Sequence, residues 1–403
     1  MNDLIIAMAT DLNYLYQTCL VIESIMMQAD NEDRYKFYVL MKRDVWESGS
    51  ANFTIIQNKY NNCIIEKIFM DDLLPQTNIH IEHISEPTYY RMFLPQLIRE
   101  DKCLYLDSDV IVCKNLNHFY NISLEEYELA GVIAPSWQKL GEKEQEYMEQ
   151  TGISSFKTYV NAGVLLLNLA KMREENFVSK AVQLIGRFFP CQDQDIINLL
   201  AYGKIKLLPL CYNAMAVCFD WPKERLDGIF TENEIHEAKL APYVIHFSNK
   251  YKPWEYMDIA YAVRWWDICR YSLMYEHFLK EYQDCFFYYA VVTHGKLWKC
   301  DKFSREWLEE IKKYSKIYIY GAGVKGKRAV SYFTENEIII EAVLVSDDSN
   351  NDTEVCGIQV VKLSSDIDDK GLFIVATSEK FHIQIRRSLF KKKCYNVLML
   401  GEI

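Results

Sequence analysis

Apolar positions in the first part of the chain fall into short continuous runs separated by stretches of helical period. Leu4 to Ala9 is unbroken apolar sequence and predicts a buried strand, and Tyr16 to Gln28 follows with the spacing of a helix. Strands are then predicted over Phe37 to Met41, Ile64 to Phe69 and Lys102 to Leu106, with an apolar run at Gly163 to Leu169 and a strand at Tyr243 to Phe247. Alternation of this kind implies α/β layers around a mostly parallel sheet. From Trp254 to Tyr314 the pattern becomes helical and aromatic, with Tyr261, Trp265, Trp266, Tyr271, Tyr275, Phe278, Tyr282, Phe286 and Phe287 three or four positions apart. Such a stripe packs in a core or between domains, a membrane-facing surface being the rarer use. At Lys316 the pattern changes sharply. Ile317 to Tyr320 is a strand that runs into a glycine turn and a helix start, and further strands are predicted at Ile340 to Val345, Ile358 to Val361, Phe373 to Ala376 and Asn396 to Leu400. The chain therefore divides into an α/β domain over 1–254, an aromatic helical segment over 255–314 and a small α/β domain over 315–403.

Composition narrows the function. A chain of 403 residues exceeds one ordinary core, and half its residues are hydrophobic. A net charge of −11 argues against a nucleic-acid partner, whose binding face would be basic. None of the twelve cysteines forms a C-x-x-C pair, and Cys19, Cys103, Cys211 and Cys218 lie in apolar runs, as small hydrophobes of a reducing compartment do. The start, Met1 to Met8, has no basic segment and no window of about 18 apolar residues occurs. The expectation is a cytoplasmic protein without a signal peptide or transmembrane segment.

Chemistry concentrates at four places. Lys102 to Val112 contains two carboxylates, Asp107 and Asp109, within apolar sequence. Read as one strand, positions i and i+2 share a face, and two buried carboxylates there need a cation. A hard divalent ion with oxygen ligands, carrying a diphosphate, answers that need. Asn161, before Gly163 in the next apolar run, offers donor and acceptor, while the glycine lets a ligand approach the backbone closely; taken alone the pair reads as a turn entering a buried strand. Cys191 to Ile197 leads polar residues into a helix: Asp195 is placed to cap it, and Asp193 and Gln194 to face a ligand. His246 ends an apolar strand and is a competent manganese ligand, followed by Lys252, which can neutralise a phosphate.

Taken in order, these motifs resemble the family 8 glycosyltransferases, a retaining group with a GT-A fold that includes lipopolysaccharide galactosyl- and glucosyltransferases. The resemblance covers about residues 1–270 and implies a UDP-sugar donor with Mn2+ or Mg2+. Ala9-Thr10-Asp11-Leu12-Asn13-Tyr14 resembles the uridine-binding turn, implying contacts from Ala9, Asp11 and Asn13. His83-Ile84-Ser85 and Tyr89-Tyr90-Arg91 resemble the next donor segment, with Arg91 reaching the diphosphate, and Ser108 joins the donor contacts. By the same resemblance Asp107, Asp109 and His246 are metal ligands, Asn161, Asp193 and Gln194 line the transferred sugar, and Lys252 touches the diphosphate. Gln194 and Asp193 stand where catalytic groups are expected. The implied partners are UDP-glucose or UDP-galactose and a saccharide acceptor, lipid-linked in some members. Two positions depart from the family pattern: Asn249 replaces a glycine in the loop before Lys252, which predicts a different backbone there, and Pro135 stands where some members carry an aspartate.

The C-terminal unit supports readings of another class. Gly321, Gly323 and Gly326 fit G-x-G-x-x-G between a strand and a helix, the setting of a dinucleotide fingerprint, with the acidic residue late at Asp347-Asp348. The unit resembles small Rossmann-like modules appended to some bacterial glycosyltransferases. NAD or another nucleotide, or a scaffolding role alone, fits it equally, and a non-catalytic sugar-nucleotide-binding protein is a third alternative. Arg386, Arg387 and Lys391 to Lys393 form a basic cluster on a predicted helix, read as a solvated face, with peripheral contact to anionic lipid as the other use.

Overall fold

A computed structural model describes residues 3–71, 73, 86–256, 259–282, 311–347, 353–378 and 381–399. The chain forms two compact units, Met1–Leu279 and Lys280–Ile403.

In the first unit the apolar runs become β1 (Leu4–Ala9), β2 (Tyr35–Met41), β3 (Cys63–Phe69), β4 (Lys102–Leu106), β5 (Val110–Val112), β6 (Leu129–Ile133), β7 (Val160–Asn168), β8 (Ile205–Leu207), β9 (Ala214–Met215) and β10 (Val244–His246). A seven-stranded sheet runs in the order β3-β2-β1-β4-β7-β6-β8, and a second sheet in the order β5-β10-β9. The half from β3 to β4 is parallel, as the alternation of elements predicts; β7 is antiparallel to both β4 and β6. β1 is buried at every position, which is why it reads as continuous apolar sequence rather than as an alternation.

The two aspartates are not on one strand face. β4 ends at Leu106 and β5 begins at Val110, so Asp107, Ser108 and Asp109 form the turn that passes the chain from the large sheet to the small one. Backbone bonds fix both ends: Asp107 donates its N–H to Gly163, extending the β4–β7 ladder, and Phe247 donates to the Asp109 carbonyl, extending β5–β10. Between them the Ser108 hydroxyl bonds the Ala9 carbonyl at 3.0 Å and lies 2.7 Å from the Thr18 hydroxyl. The apolar residues on both sides belong to different strands, a distinction that period alone does not carry.

Within the aromatic stretch Trp265, Trp266 and Phe278 are buried, whereas Tyr271 is 72% exposed. Trp254 packs on Trp265 and Phe278 and meets Tyr14 edge-on at 6.1 Å. The stretch to Leu279 therefore closes over the start of the helix Leu15–Met27. Phe286 and Phe287 lie outside the described residues.

The second unit contains β11 (Ile317–Tyr320), β12 (Ala342–Val345), β13 (Glu354–Val355), β14 (Ile358–Lys362), β15 (Leu372–Val375) and β16 (Val397–Met399) in the order β13-β14-β12-β11-β15-β16. All but β13 are parallel, so their spatial order is 3-2-1-4-5, that of a doubly wound sheet. Ile317 and Ile319 face a core with Ala329, Val330 and Phe333; Tyr318 and Tyr320 face another with Ile385 and Leu389. The glycine turn is required by packing: a Cβ on Gly326 would stand 1.7 Å from the Gly321 carbonyl oxygen, and Gly321 itself has φ +122° against Ala376. Gly323 faces open space. On the helix His382–Lys391, Arg386 is buried while Arg387 and Lys391 to Lys393 are exposed, so the basic cluster is solvated except at Arg386.

Candidate active site

The turn after β4, the glycine of β7 and the end of β10 meet at one point. Asp107, Asp109 and His246 each bring one ligand atom within 4.8 Å of the others. His246 is 1% exposed, and its Nε2 stands 3.2 Å from Asp109 Oδ1 without making a hydrogen bond. Gly163 is the floor of this cluster. A Cβ there would meet His246 Cε1 at 2.3 Å and Asp107 Oδ2 at 2.6 Å. The close approach that the glycine permits is thus that of the ligand side chains. Two carboxylates and an imidazole, packed against a backbone with no side chain, fit a hard or borderline divalent cation.

Two cations flank the cluster. Arg91, buried in the 3-10 helix Glu86–Phe93, contacts Asp107 at 2.9 Å and Asp193 at 3.0 Å, donates to the Ala162 carbonyl at 2.6 Å, and lies over the Tyr105 ring. Tyr105 donates its hydroxyl to Asp107 at 2.9 Å. Lys252 bonds Asp109 Oδ2 and the Phe247 carbonyl, each at 2.6 Å. Burial pushes the Asp109 carboxyl up, but Lys252 and His246 outweigh it and hold it well below the usual carboxylate range. Asp193 goes the other way. Its burial exceeds the help of Arg91 and of the Thr88 hydroxyl, 2.6 Å away, and its pKa is pushed up to about 6.

On the next side of the cluster lie two side-chain amides, Asn161 and Gln194. Asn161 Oδ1 accepts from the Gly163 N–H at 3.1 Å, and Asn161 Nδ2 donates to Gln194 Oε1 at 3.1 Å. Gln194 Oε1 also accepts from the Ala162 N–H, while its Nε2 donates to the Tyr159 hydroxyl, both at 3.0 Å. Asp195, fully buried, accepts the Cys191 N–H at the start of the helix Gln192–Leu200, and the hydroxyls of Tyr147 and Tyr159 besides. The N-cap of this helix is Cys191, which makes no side-chain cap bond, and Asp195 instead reaches back to its N–H from inside the first turn.

The structure brings Asp107, Asp109, His246, Arg91, Lys252, Asn161, Asp193 and Gln194 together. Ala9 ends β1 and Asp11 follows it, where the Asp11 carboxylate accepts the N–H groups of Asn13 and Tyr14 and so shapes the predicted uridine turn; Asn13 is exposed. Ser108 turns its hydroxyl into the protein. His83 lies outside the described residues. Asn249 keeps a negative φ, and its side chain instead accepts the Tyr251 N–H at 3.0 Å, so an Asx turn replaces the glycine conformation. Sequence reasoning missed Tyr105, Thr88, Asn213 and Tyr14. Tyr14 is signalled by its place in the quoted motif: burial, then Asp109 and other nearby carboxylates, raise its hydroxyl pKa strongly.

The structure is similar to that of the galactosyltransferase LgtC in complex with donor and acceptor sugar analogs: TM-score 0.55, 26% identity, over 67% of this chain and 96% of that one. A mixed sheet carrying this acidic turn defines the class, a GT-A glycosyltransferase fold. The chain belongs to glycosyl transferase family 8, whose model matches residues 5–258. Among curated relatives, glycosyltransferase GlyB of Streptococcus pneumoniae serotype 4 is 29% identical over 240 residues, 57% of this chain and 54% of that protein. GlyD of the same strain is 30% identical over 297 residues, 69% of this chain and 32% of that protein. The chain thus spans about half of GlyB and a third of GlyD.

Proposed function

We propose that this chain is a metal-dependent, retaining hexosyltransferase that moves glucose or galactose from UDP-glucose or UDP-galactose to a glycan or lipid-linked saccharide acceptor in bacterial cell-surface polysaccharide synthesis. The observation that carries this reading is the convergence of Asp107, Asp109 and His246 beside Arg91 and Lys252. Mn2+ or Mg2+ held by the three ligands would supply Lewis-acid stabilisation of the leaving diphosphate. Arg91 and Lys252 share the developing negative charge from positions already fixed by Asp107 and Asp109, so little reorganisation accompanies bond breaking. Ala9, Asp11 and Asn13 contact the nucleoside, and Asn161, Asp193 and Gln194 line the hexose.

Retention requires either a nucleophile on the far face of the sugar or attack on the face the diphosphate leaves. Gln194 Oε1 already accepts two hydrogen bonds, and an amide is a poor nucleophile. The Asp193 carboxylate is held on one oxygen by Thr88 and on the other by Arg91. Same-face transfer is therefore the favoured course: the acceptor oxygen bonds to the anomeric carbon as the bond to the diphosphate breaks, and a diphosphate oxygen takes the hydroxyl proton. Gln194 stabilises the oxocarbenium-like state.

The test is UDP release by the full chain from UDP-glucose and UDP-galactose, with and without Mn2+. Asp109→Ala should lower release by about 100-fold or more with the circular dichroism of the fold retained. Metal-stimulated release that survives in Asp109→Ala would overturn the assignment.

A further inference from the structure

His246 Nδ1 lies 3.2 Å from Asn213 Oδ1, and the donors and acceptors around this contact leave only one arrangement. Asn213 is fully buried at the end of the 3-10 helix Leu210–Tyr212, one residue before β9, which pairs with β10 so that Met215 lies beside His246. Amide orientation is fixed by backbone N–H groups, which can only donate. The Gly163 N–H requires an oxygen from Asn161, so Asn161 Oδ1 is an acceptor. The Asn213 group 2.9 Å from that oxygen must then be its Nδ2, and the atom left facing His246 is its Oδ1. An oxygen there accepts a hydrogen bond from Nδ1–H. The Ala162 N–H fixes Gln194 in the same way, with Asn161 Nδ2 donating to it.

We propose that Asn213 is a positioning residue of the metal centre: its side-chain amide accepts from His246 Nδ1–H, leaves Nε2 as the nitrogen turned toward Asp107 and Asp109, and ties that ring to the Asn161 and Gln194 amides. A cation bound between Nε2 and Asp109 Oδ1, 3.2 Å apart, uses the Nε2 lone pair, and the partner on Nδ1 makes Nε2 the ligating nitrogen. Partners of this kind orient a ligating histidine and raise its basicity, and their loss typically costs about 10–100-fold in metal affinity. The inference rests on the metal reading of Asp107, Asp109 and His246, and adds to it a residue with no ligand atom of its own in that cluster.

The experiment uses the full chain. Long-range 15N–1H spectra of 15N-histidine-labelled protein, freed of metal with a chelator and assigned with His246→Gln, report the tautomer directly. A proton on Nδ1 is expected; a proton on Nε2 with none on Nδ1 overturns the proposal without any Asn213 variant. Mn2+ affinity is then read by electron paramagnetic resonance. Asn213→Ala should lose the tautomer preference and bind Mn2+ about 10–100-fold more weakly. Asn213→Ala with wild-type tautomer and affinity overturns it. If Asn213→Ala does not fold, the wild-type spectrum decides. Wild-type protein without an Mn2+ site that Asp109→Ala removes would sink the metal reading itself, a failure told apart because the tautomer is read without metal.

Discussion

Gly163 illustrates how a residue with no side chain determines the chemistry beside it. Its hydrogen lies where any Cβ would strike both the His246 ring and an Asp107 oxygen. His246 ends a strand buried along its whole length, and Asp107 is held through its N–H by Gly163 itself, so neither ligand can retreat freely. Gly163→Ala should therefore weaken Mn2+ binding by about tenfold or more, the scale seen when ligand orientation is lost. The overpacking should also cost about 1–3 kcal/mol of stability. Titration of Mn2+ beside a urea unfolding curve checks both, and wild-type affinity would show that the floor has room. From the sequence a ligand is expected to approach this glycine; the groups that approach are the side chains of Asp107 and His246, and His246 arrives through β10 pairing with β5, far along the chain. Asn213 was illegible for the same reason. It stands in a loop without local pattern, and only the β9–β10 ladder brings it beside the imidazole. Asp107, Asp109, Asp193 and Gln194 were legible because carboxylates and amides set against apolar sequence advertise a compensating partner.

Among the elements, β4 and β5 show what periodicity cannot tell. Both are apolar and nearly adjacent, yet they belong to two sheets, and the switch between them makes the acidic turn. The other predicted strands begin and end within two residues of the observed ones, since buried strands leave unbroken apolar runs, but β7 starts three residues before its predicted run, and β6, β8, β9 and β13 were not predicted. The helix Gln192–Leu200 is fixed to β7 by a device the sequence does not display: Asn198 accepts the Val160 N–H at 2.7 Å and donates to the Val160 carbonyl at 2.8 Å, as a neighbouring strand would. Asn198 is 4% exposed, so its replacement leaves a buried N–H unpaired. Asn198→Leu should cost about 1–3 kcal/mol in chemical denaturation. Because the same helix carries Asp193 and Gln194, UDP release should fall as well. A variant with lowered stability and full release would show that the sugar-side residues keep their places without this clip.

On the scale of the whole molecule, the two units have separate cores, and the residues matched by the family 8 model, 5–258, fall within the first. The second was legible from Lys316 onward because a strand, a glycine turn and a helix follow one another without interruption. Its order 3-2-1-4-5 was not legible, since strand neighbours are set by crossovers rather than by local pattern. Two of the three glycines of its turn are accounted for by packing against Gly321 and Ala376, so the motif alone does not require a nucleotide there. If the transferase chemistry belongs to the first unit, the second can be weakened without touching it. Phe333 is fully buried in the second unit, under β11 and beside Ala329 and Val330. Phe333→Ala removes a large side chain from that core and should cost it about 3–5 kcal/mol. Calorimetry should show one unfolding transition moved to lower temperature while a second stays in place, with UDP release unchanged below the first. Release that disappears together with the earlier transition would mean that the second unit takes part in donor chemistry and is not merely carried beside it.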